Sequence, residues 1–382
     1  MPDAGSMAIP ALKNHIVLVS GQALPTLLGA SLPGREPSHI HAVVTPAMQK
    51  AADLLQQALN ARGRQCAFTE YALVSDTGQE AMYSVLNSIY EACGGESLGI
   101  NLTGGTKLMA LAAAEWASAY DVPAFYIDTA GEQAILIGRE WQHSPLPDVL
   151  TVRGLLAANG FLVEQSDSTP VPPPRRSLLA RLLDFTCTPR GEKALGRLNY
   201  LAQKACESGL CVRDEGPEDA AWDELLAFFS EAGMAQAEAG YVAFPDEAAR
   251  SWCNGLWFEE YVKMTLYHLK AKQRIHDFAS SVTVRRDGVL NELDALFTAR
   301  NRLFTIECKT TAMPLNRAAS FLYKADSLHD RLGGVFARAM LCSVRPLAYK
   351  DRERARSMGV CIVCGRDLLS LEEKLSAWSK QA

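Results

Sequence analysis

The sequence predicts an α/β protein in three parts: a Rossmann-like domain over 1–150, a linker and small winged-helix-like connector over 151–250, and a second α/β unit over 251–382. Three observations carry this reading. Through the first 140 residues, short apolar runs alternate with amphipathic stretches, the pattern of a parallel sheet with crossover helices. A composition break follows at 166–176, where Pro170, Pro172, Pro173 and Pro174 crowd together. Beyond residue 250 the charge balance changes sign.

The chain has 382 residues, long enough for two or three domains of ordinary size. Hydrophobic content of 48% and charged content of 21% are those of a globular protein, and no apolar run approaches a membrane span. The stretch from Met1 to Pro10 lacks the order of a secretory signal. Ten cysteines scattered from Cys66 to Cys364 fit a reducing compartment, so a cytoplasmic protein of mostly buried thiols is expected. The close pair Cys361 and Cys364 lies in an apolar run with no second pair to complete a zinc site, and reads as a core strand.

The net charge of −5 conceals an asymmetry. Residues 1–250 carry 17 Lys and Arg against 29 Asp and Glu; residues 251–382 carry 21 against 14. A basic C-terminal third suits a phosphate backbone, whereas the acidic remainder would not hold nucleic acid by bulk charge. Segregation by accident explains the numbers equally well, so a catalytic site is needed beside them.

In the first domain, strands are expected at 15–20, 41–45, 97–102 and 124–128, with helices at 46–61, 78–93 and 106–119. The third strand runs into Asn101-Leu-Thr-Gly-Gly-Thr-Lys107 and then a helix. Glycines at a strand-to-helix turn expose backbone N–H groups, and the helix start adds the positive end of its dipole, so phosphate oxygens suit Thr103, Gly104, Gly105, Thr106 and Lys107. This is not a Walker A loop, because Gly-Thr stands where Lys-Ser/Thr is required. A tight turn without ligand is the alternative. Ser20, Gly21 and Gln22, after the first strand, would lie at the same edge of a doubly wound sheet. Asp76-Thr77-Gly78 is better explained as a helix cap, and Asp128-Thr129 could face the crevice.

The proline segment can form neither helix nor central strand, and is expected to be a linker or exposed loop. Helices around 191–207 and 220–232, followed by a hairpin over 235–244, give the winged-helix-like connector. Its acidic residues, Asp214, Glu215, Glu218, Asp219, Asp223 and Glu224, argue for a spacer over a DNA reader.

In the last part, Asn291-Glu-Leu-Asp294 and Leu303-Phe-Thr-Ile-Glu-Cys-Lys-Thr310 read as a β-hairpin. Alternation sends Phe304, Ile306 and Cys308 one way and Thr305, Glu307 and Lys309 the other, with Asp294 on the adjoining strand. Two carboxylates suit a hard divalent ion, and a lysine beside them can orient water or stabilise negative charge, as phosphodiester hydrolysis requires. A surface hairpin with a weak Glu307–Lys309 ion pair is the bland alternative. Flanking Arg285, Arg286, Arg300, Arg302, Arg338, Arg345 and the run 350–356 could follow a nucleic-acid backbone or be a solvated face.

Upstream, Gly255-Leu-Trp-Phe-Glu-Glu260 opens an amphipathic helix with Phe258, Val262, Leu266 and Leu269 on one stripe. A Gly-x-Trp-x-Glu helix start followed by a hairpin with Asp and Glu-x-Lys resembles the PD-(D/E)xK superfamily. That resemblance implies a restriction-endonuclease-like α/β/α nuclease domain. It makes Glu259, Asp294 and Glu307 metal ligands for Mn²⁺ or Mg²⁺, with Lys309 the catalytic lysine. Glu260 remains a competing choice for the helix acid. Leu293 occupies the position of the usual proline.

The Thr-Gly-Gly-Thr-Lys run and the loop at Ser20 to Gln22 resemble CARF domains. With the nuclease downstream, nearly the whole chain is similar to the Card1/Can2 family of CRISPR ancillary nucleases, also known as the DUF1887 group. The resemblance implies a homodimer that binds cyclic tetra-adenylate across paired CARF domains, through Ser20 to Gln22 and Thr103 to Lys107. Binding would activate cleavage of RNA or DNA in type III CRISPR antiviral defence, with no membrane involved. Two rivals stand beside this: a ligand-responsive winged-helix transcription regulator, and a repair or restriction nuclease without second-messenger control. The resemblance leaves RNA versus DNA, strandedness, ring size, choice of metal and ligand degradation open.

Overall fold

The computed structural model describes residues 7–63, 65–311 and 337–381, which form parts of two compact units, Met1–Val163 and Glu164–Ala382. The amino-terminal run read from Met1 thus begins outside the described residues.

The first unit is built on a seven-stranded sheet. Its strands are β1 (Asn14–Leu18), β2 (His39–Val44), β3 (Ala67–Ala72), β4 (Leu98–Asn101), β5 (Ala124–Asp128), β6 (Gln133–Ile137) and β7 (Gln142–Pro145), in the order β3-β2-β1-β4-β5-β6-β7. The first five are parallel and β6 and β7 extend the sheet antiparallel. Helices α1 (Leu24–Gly29), α2 (Gln49–Asn60), α3 (Gln79–Cys93), α4 (Lys107–Ala119) and α5 (Val152–Ala158) accompany it. Central strands of a covered parallel sheet are buried on both faces, which is why Ile16, Val17, Leu18, Ile40, Val43 and Ile100 run together. One core packs α3 and α4 on the sheet through Leu86, Ile89, Met109 and Trp116. The chain starts at β1 in mid-sheet, builds outward to β3, then returns to β4 on the other side of β1. That reversal is the switch point at which doubly wound sheets open a crevice.

In the second unit, α6 (Pro173–Thr186), α7 (Pro189–Ala205), β9 (Cys211–Arg213), α8 (Ala220–Glu231), β10 (Gln236–Glu238) and β11 (Tyr241–Ala243) follow the order of a winged helix, with a small β10-β11-β9 sheet. A short α9 (Glu247–Ser251) leads through a π-helical turn at Trp252–Leu256 into α10 (Trp257–Ala271). The larger sheet joins β8 (Leu162–Asp167), β12 (Asp277–Arg286), β13 (Val289–Ala299), β14 (Arg302–Lys309), β15 (Ala337–Ser343) and β16 (Cys361–Cys364), ordered β16-β15-β14-β13-β12-β8. Pairing is antiparallel from β12 to β14 and parallel from β14 to β16. On one face lie α10 and α12 (Leu371–Trp378), where Phe297 and Phe304 stack at 4.6 Å and meet Trp378 edge-on. The opposite face packs Ala339 and Leu341 against Ala355 of α11 (Tyr349–Ser357). The connector helices and the first face share one apolar core, running from Leu179, Leu198 and Phe229 through Trp252 and Trp257 to Phe297 and Trp378.

Several local expectations are corrected. The proline segment is an exposed loop only over residues 168–172, with Val171 buried: residues 166–167 end β8, and Pro172 leads into α6 with Pro173 and Pro174 in its first turn. Proline there loses no helical hydrogen bond, since the first N–H groups have no partner within the helix. Gly78, not a side chain, precedes α3, and no side-chain cap forms there. Strands β3, β6 and β7 and helix α1 had no counterpart in the sequence reading.

Candidate functional sites

The second unit gathers an acidic centre from a hairpin and a helix start. The β13–β14 hairpin turns on Arg300 and Asn301, both with positive φ, as a two-residue turn between right-twisted strands requires. Its ladder runs from Ala299 and Arg302 to Ala295 and Ile306, and continuing that register sets Asp294 opposite Glu307. Here the Asp294 carboxylate accepts the backbone N–H of Cys308 at 2.7 Å. Side chains alternate along β14: Phe304, Ile306 and Cys308 are buried, whereas Glu307 and Lys309 emerge and pair at 2.7 Å.

Helix α10 brings the third carboxylate. Gly255 enters the helix with φ of +144°, and a Cβ there would come within 2.9 Å of Thr310 Oγ1, immediately beyond Lys309. The close approach seats the helix start on the end of β14. Thr310 is itself buried and accepts a hydrogen bond from Asn199 Nδ2 of α7 at 3.4 Å. Inside α10, Trp257, Phe258, Val262, Leu266 and Leu269 face the core. Glu259 then emerges toward the carboxylates. Burial, with Asp294 next in effect, pushes its carboxyl up to about 8, while Lys309 opposes the rise. For Lys309, burial pulls downward but Glu307 and Asp294 outweigh it, and its pKa lies above the usual lysine value. Glu260 points elsewhere: its carboxylate accepts Trp252 Nε1–H at 2.7 Å and lies 3.7 Å from Arg175.

Three carboxylates, one of them raised by burial and then by its neighbours' charge, are a donor set suited to a hard divalent cation. Among the described residues, however, no three acidic, histidine or cysteine side chains already converge at metal-ligand spacing. The donor chemistry fits such an ion, although the carboxylates do not yet stand at ligand spacing.

Among the described residues the flanking basic side chains do not form a continuous unpaired track. Arg285 pairs with Glu164, Arg356 with Glu353 and Arg354 with Asp351, and Arg300 donates to the carbonyl of Lys380. Arg345 is directed to α7, where a Cβ on Gly196 would meet its guanidinium at 2.2 Å.

In the first unit, β1 and β4 are neighbours, so the loops after them meet at the switch point. A Cβ at Gly104 would lie 1.9 Å from the carbonyl oxygen of Leu18 and 3.5 Å from Ser20 Oγ, so only glycine lets the loops come this close. Gly105 follows with φ of +72°. Not every side chain of the run is available to a ligand. Thr103 Oγ1 donates to Asn101 Oδ1 at 2.6 Å and accepts Ile127 N–H at 2.8 Å, tying β4 to β5. Thr106 caps α4 by accepting Met109 N–H at 3.3 Å. Gly21, Gln22 and Lys107 are exposed at the loop surfaces, and Ser20 Oγ donates to the Gln22 carbonyl. Asp128 is engaged in the turn to β6, where it accepts the N–H groups of Ala130 and Gly131.

Sequence reasoning missed Trp252, Arg175 and Lys263, which line one cavity together with Glu259. The two tryptophans five residues apart ahead of the Glu-Glu pair were the available signal for the first; nothing local marked the other two.

Residues 14–154 match the family described as the Card1 CARF domain, and residues 246–382 match the family described as the Card1-like endonuclease domain. No functionally curated protein matches the chain. Among solved structures, protein VC1899 from Vibrio cholerae is similar over 96% of this chain and 98% of its own, with 27% identity and a TM-score of 0.82. Can2 from Sulfobacillus thermosulfidooxidans, solved with cyclic tetra-adenylate, is similar in fold over 96% of this chain and 99% of its own, with 24% identity and a TM-score of 0.77. A type III CRISPR defence DNA nuclease activated by cyclic oligoadenylate shares the fold over 97% of this chain and 54% of its own, at 22% identity and a TM-score of 0.54.

Proposed function

The chain belongs to the Card1 family, with a Card1 CARF domain and a Card1-like endonuclease domain in one polypeptide, and from that premise we propose a nuclease activated by cyclic oligoadenylate, most simply cyclic tetra-adenylate. The observation that carries the catalytic half is the meeting of Glu259, Asp294, Glu307 and Lys309 at one end of the β13–β14 hairpin. The reading places the protein in the cytoplasm, in type III CRISPR antiviral defence. Among the described residues no helix is long and apolar enough to cross a membrane.

The catalytic centre is of the PD-(D/E)xK type. Glu259, Asp294 and Glu307 would hold Mn²⁺ or Mg²⁺, which when bound polarises a phosphate and acidifies its water. The Asp294 carboxylate accepts the Cys308 N–H through one oxygen, and that hydrogen bond orients it. Lys309, kept protonated by Glu307 and Asp294, supplies positive charge where the attacked phosphate gains negative charge. Burial of Cys308 and Ile306 beneath them keeps this face of β14 from turning over.

In the CARF domain, the N-terminus of α4 and the glycine loop before it offer main-chain N–H groups to a phosphate, with Lys107 and Gln22 at the rim. A symmetric cyclic ligand calls for a two-fold homodimer with this edge shared between copies. The ligand activates only by binding the cutting arrangement better than the resting one.

The test is cleavage of labelled single-stranded RNA, single-stranded DNA and supercoiled plasmid in Mn²⁺, with and without cyclic tetra-adenylate. Cutting confined to the ligand-containing reactions supports both halves. Full cutting without ligand rejects control by the CARF domain, and no cutting in any reaction rejects the nuclease.

A further inference from the structure

Beside the acidic centre, the second unit contains a cavity of about 510 Å³. Its walls come from segments distant in sequence: Met234 and Pro245 from the two ends of the connector hairpin, Trp252 and Leu256 from the π-helical turn, and Ser281 from β12. Glu259 stands in the same lining, so the cavity and the acidic centre share a side chain. A volume of this order suits a small organic group and far exceeds the space an ion needs.

The charges argue against a phosphate as its occupant. Glu259, Glu260 and Asp246 all border it, and Asp246 is already engaged in capping α9 through Ala249 N–H at 2.7 Å. Both cations of the lining are paired, Arg175 with Glu260 at 3.7 Å and Lys263 with Asp167 at 2.7 Å. An anion would meet more carboxylate than compensating charge. A flat, uncharged group fares better. The Arg175 guanidinium lies 4.8 Å over the centre of the Trp252 ring and its side chain is 26% exposed, so a planar cation and an indole border the cavity together, with Leu256, 43% exposed, in the same lining. The carboxylates can accept from exocyclic N–H groups.

Register ties the cavity to the reacting phosphate. Ser281 falls opposite Asp294 between the paired positions Ser280–Ala295 and Val282–Leu293, and its φ of +47° breaks the extended strand there. A phosphodiester seated among Glu259, Asp294 and Glu307 therefore has its neighbouring nucleoside beside this cavity. We infer that the cavity is a base-binding subsite: it takes the nucleobase adjoining the scissile phosphate, out of its stack, and holds the strand in register for cleavage. The inference rests on the nuclease reading above.

The experiment is an abasic walk. Single-stranded oligonucleotides with one abasic residue moved stepwise through a cut site are digested by the full chain in Mn²⁺ with cyclic tetra-adenylate. Loss of a stacked base should lower kcat/KM by roughly tenfold to hundredfold at one position next to the cut, with little change elsewhere. In Ala248→Trp, which fills the cavity from its exposed rim, intact substrate should show a raised KM and the abasic penalty should vanish. A flat profile in the unmodified protein, or a penalty that survives Ala248→Trp, overturns the subsite and leaves the nuclease standing. Failure to cut any oligonucleotide overturns both.

Discussion

The Asp294 carboxylate accepts the main-chain N–H of Cys308 at 2.7 Å, bridging two strands at the level where the register sets Asp294 opposite Glu307. The contact gives Asp294 a structural role that is separable from its charge. Asp294→Asn keeps an oxygen for the N–H and removes the charge, so it should fold normally and cut at least roughly a hundredfold more slowly. Asp294→Ala also leaves the Cys308 N–H without its acceptor and should lose about 1–3 kcal/mol of stability. Urea denaturation beside a cleavage assay separates the two effects.

Glu259 and Glu260 are adjacent and predicted to behave oppositely. Glu259→Gln should abolish cleavage while leaving stability unchanged or raised, because a buried carboxylate repelled by its neighbours is replaced by a neutral amide. Glu260→Ala should keep kcat at saturating substrate within a few-fold, raise KM through the neighbouring cavity, and lose about 1 kcal/mol with the Trp252 hydrogen bond. The same assay and denaturation measurements decide it, and equal loss of cutting in both would remove the assignment of the helix acid.

Lys309→Ala should eliminate cutting yet leave binding of cyclic tetra-adenylate, measured by calorimetry, at its original affinity. Chelation with EDTA should give the same phenotype reversibly in the unaltered protein.

Gly104→Ala tests the meeting of the two loops. Its methyl group would collide with the Leu18 carbonyl, so β1 and β4 would have to move at their ends. The expected result is a loss of roughly 1–3 kcal/mol in the first unit. Ligand affinity should fall with it, and cleavage should then require more ligand.

The first unit should also lose stability in mild acid. His15 is buried, and burial, with Arg62 second, lowers its pKa from 6.5 to about 4. Between those values the unfolded chain binds a proton that the folded chain refuses, so stability falls as pH drops from about 6.5 to about 4 and levels off below. The full effect is about 3 kcal/mol. His41, also lowered to about 4, adds to the same slope. His15→Leu should make the dependence shallower in pH-scanned thermal unfolding; an unchanged slope would reject the assignment.

Legibility in the sequence followed burial. Strands β1, β2 and β4 announced themselves because both faces are covered, and β5 did so through buried Ala124, Phe125 and Ile127, whereas β3, with Phe68, Thr69 and Tyr71 half-buried and its other positions exposed, has a weaker pattern. The prolines misled because their rigidity is as compatible with the first turn of α6 as with a loop. At the acidic centre, alternation along β14 was readable from eight residues. The choice between Glu259 and Glu260 was not, since it depends on Trp252 and on Arg175, 85 positions upstream of Glu260. Thr103 looks like a ligand donor in the sequence, yet its hydroxyl is engaged by Asn101 and Ile127, the second of them a strand away.

The common core of the connector and the larger sheet bears on inheritance. A gene fragment encoding residues 246–382 alone would leave behind Leu179, Leu198 and Phe229, and the apolar faces of Trp252 and Trp257 would meet water. Recombination that transplants the cutting activity onto another sensor must therefore carry β8 and the three connector helices with it, and its workable breakpoints lie upstream of β8.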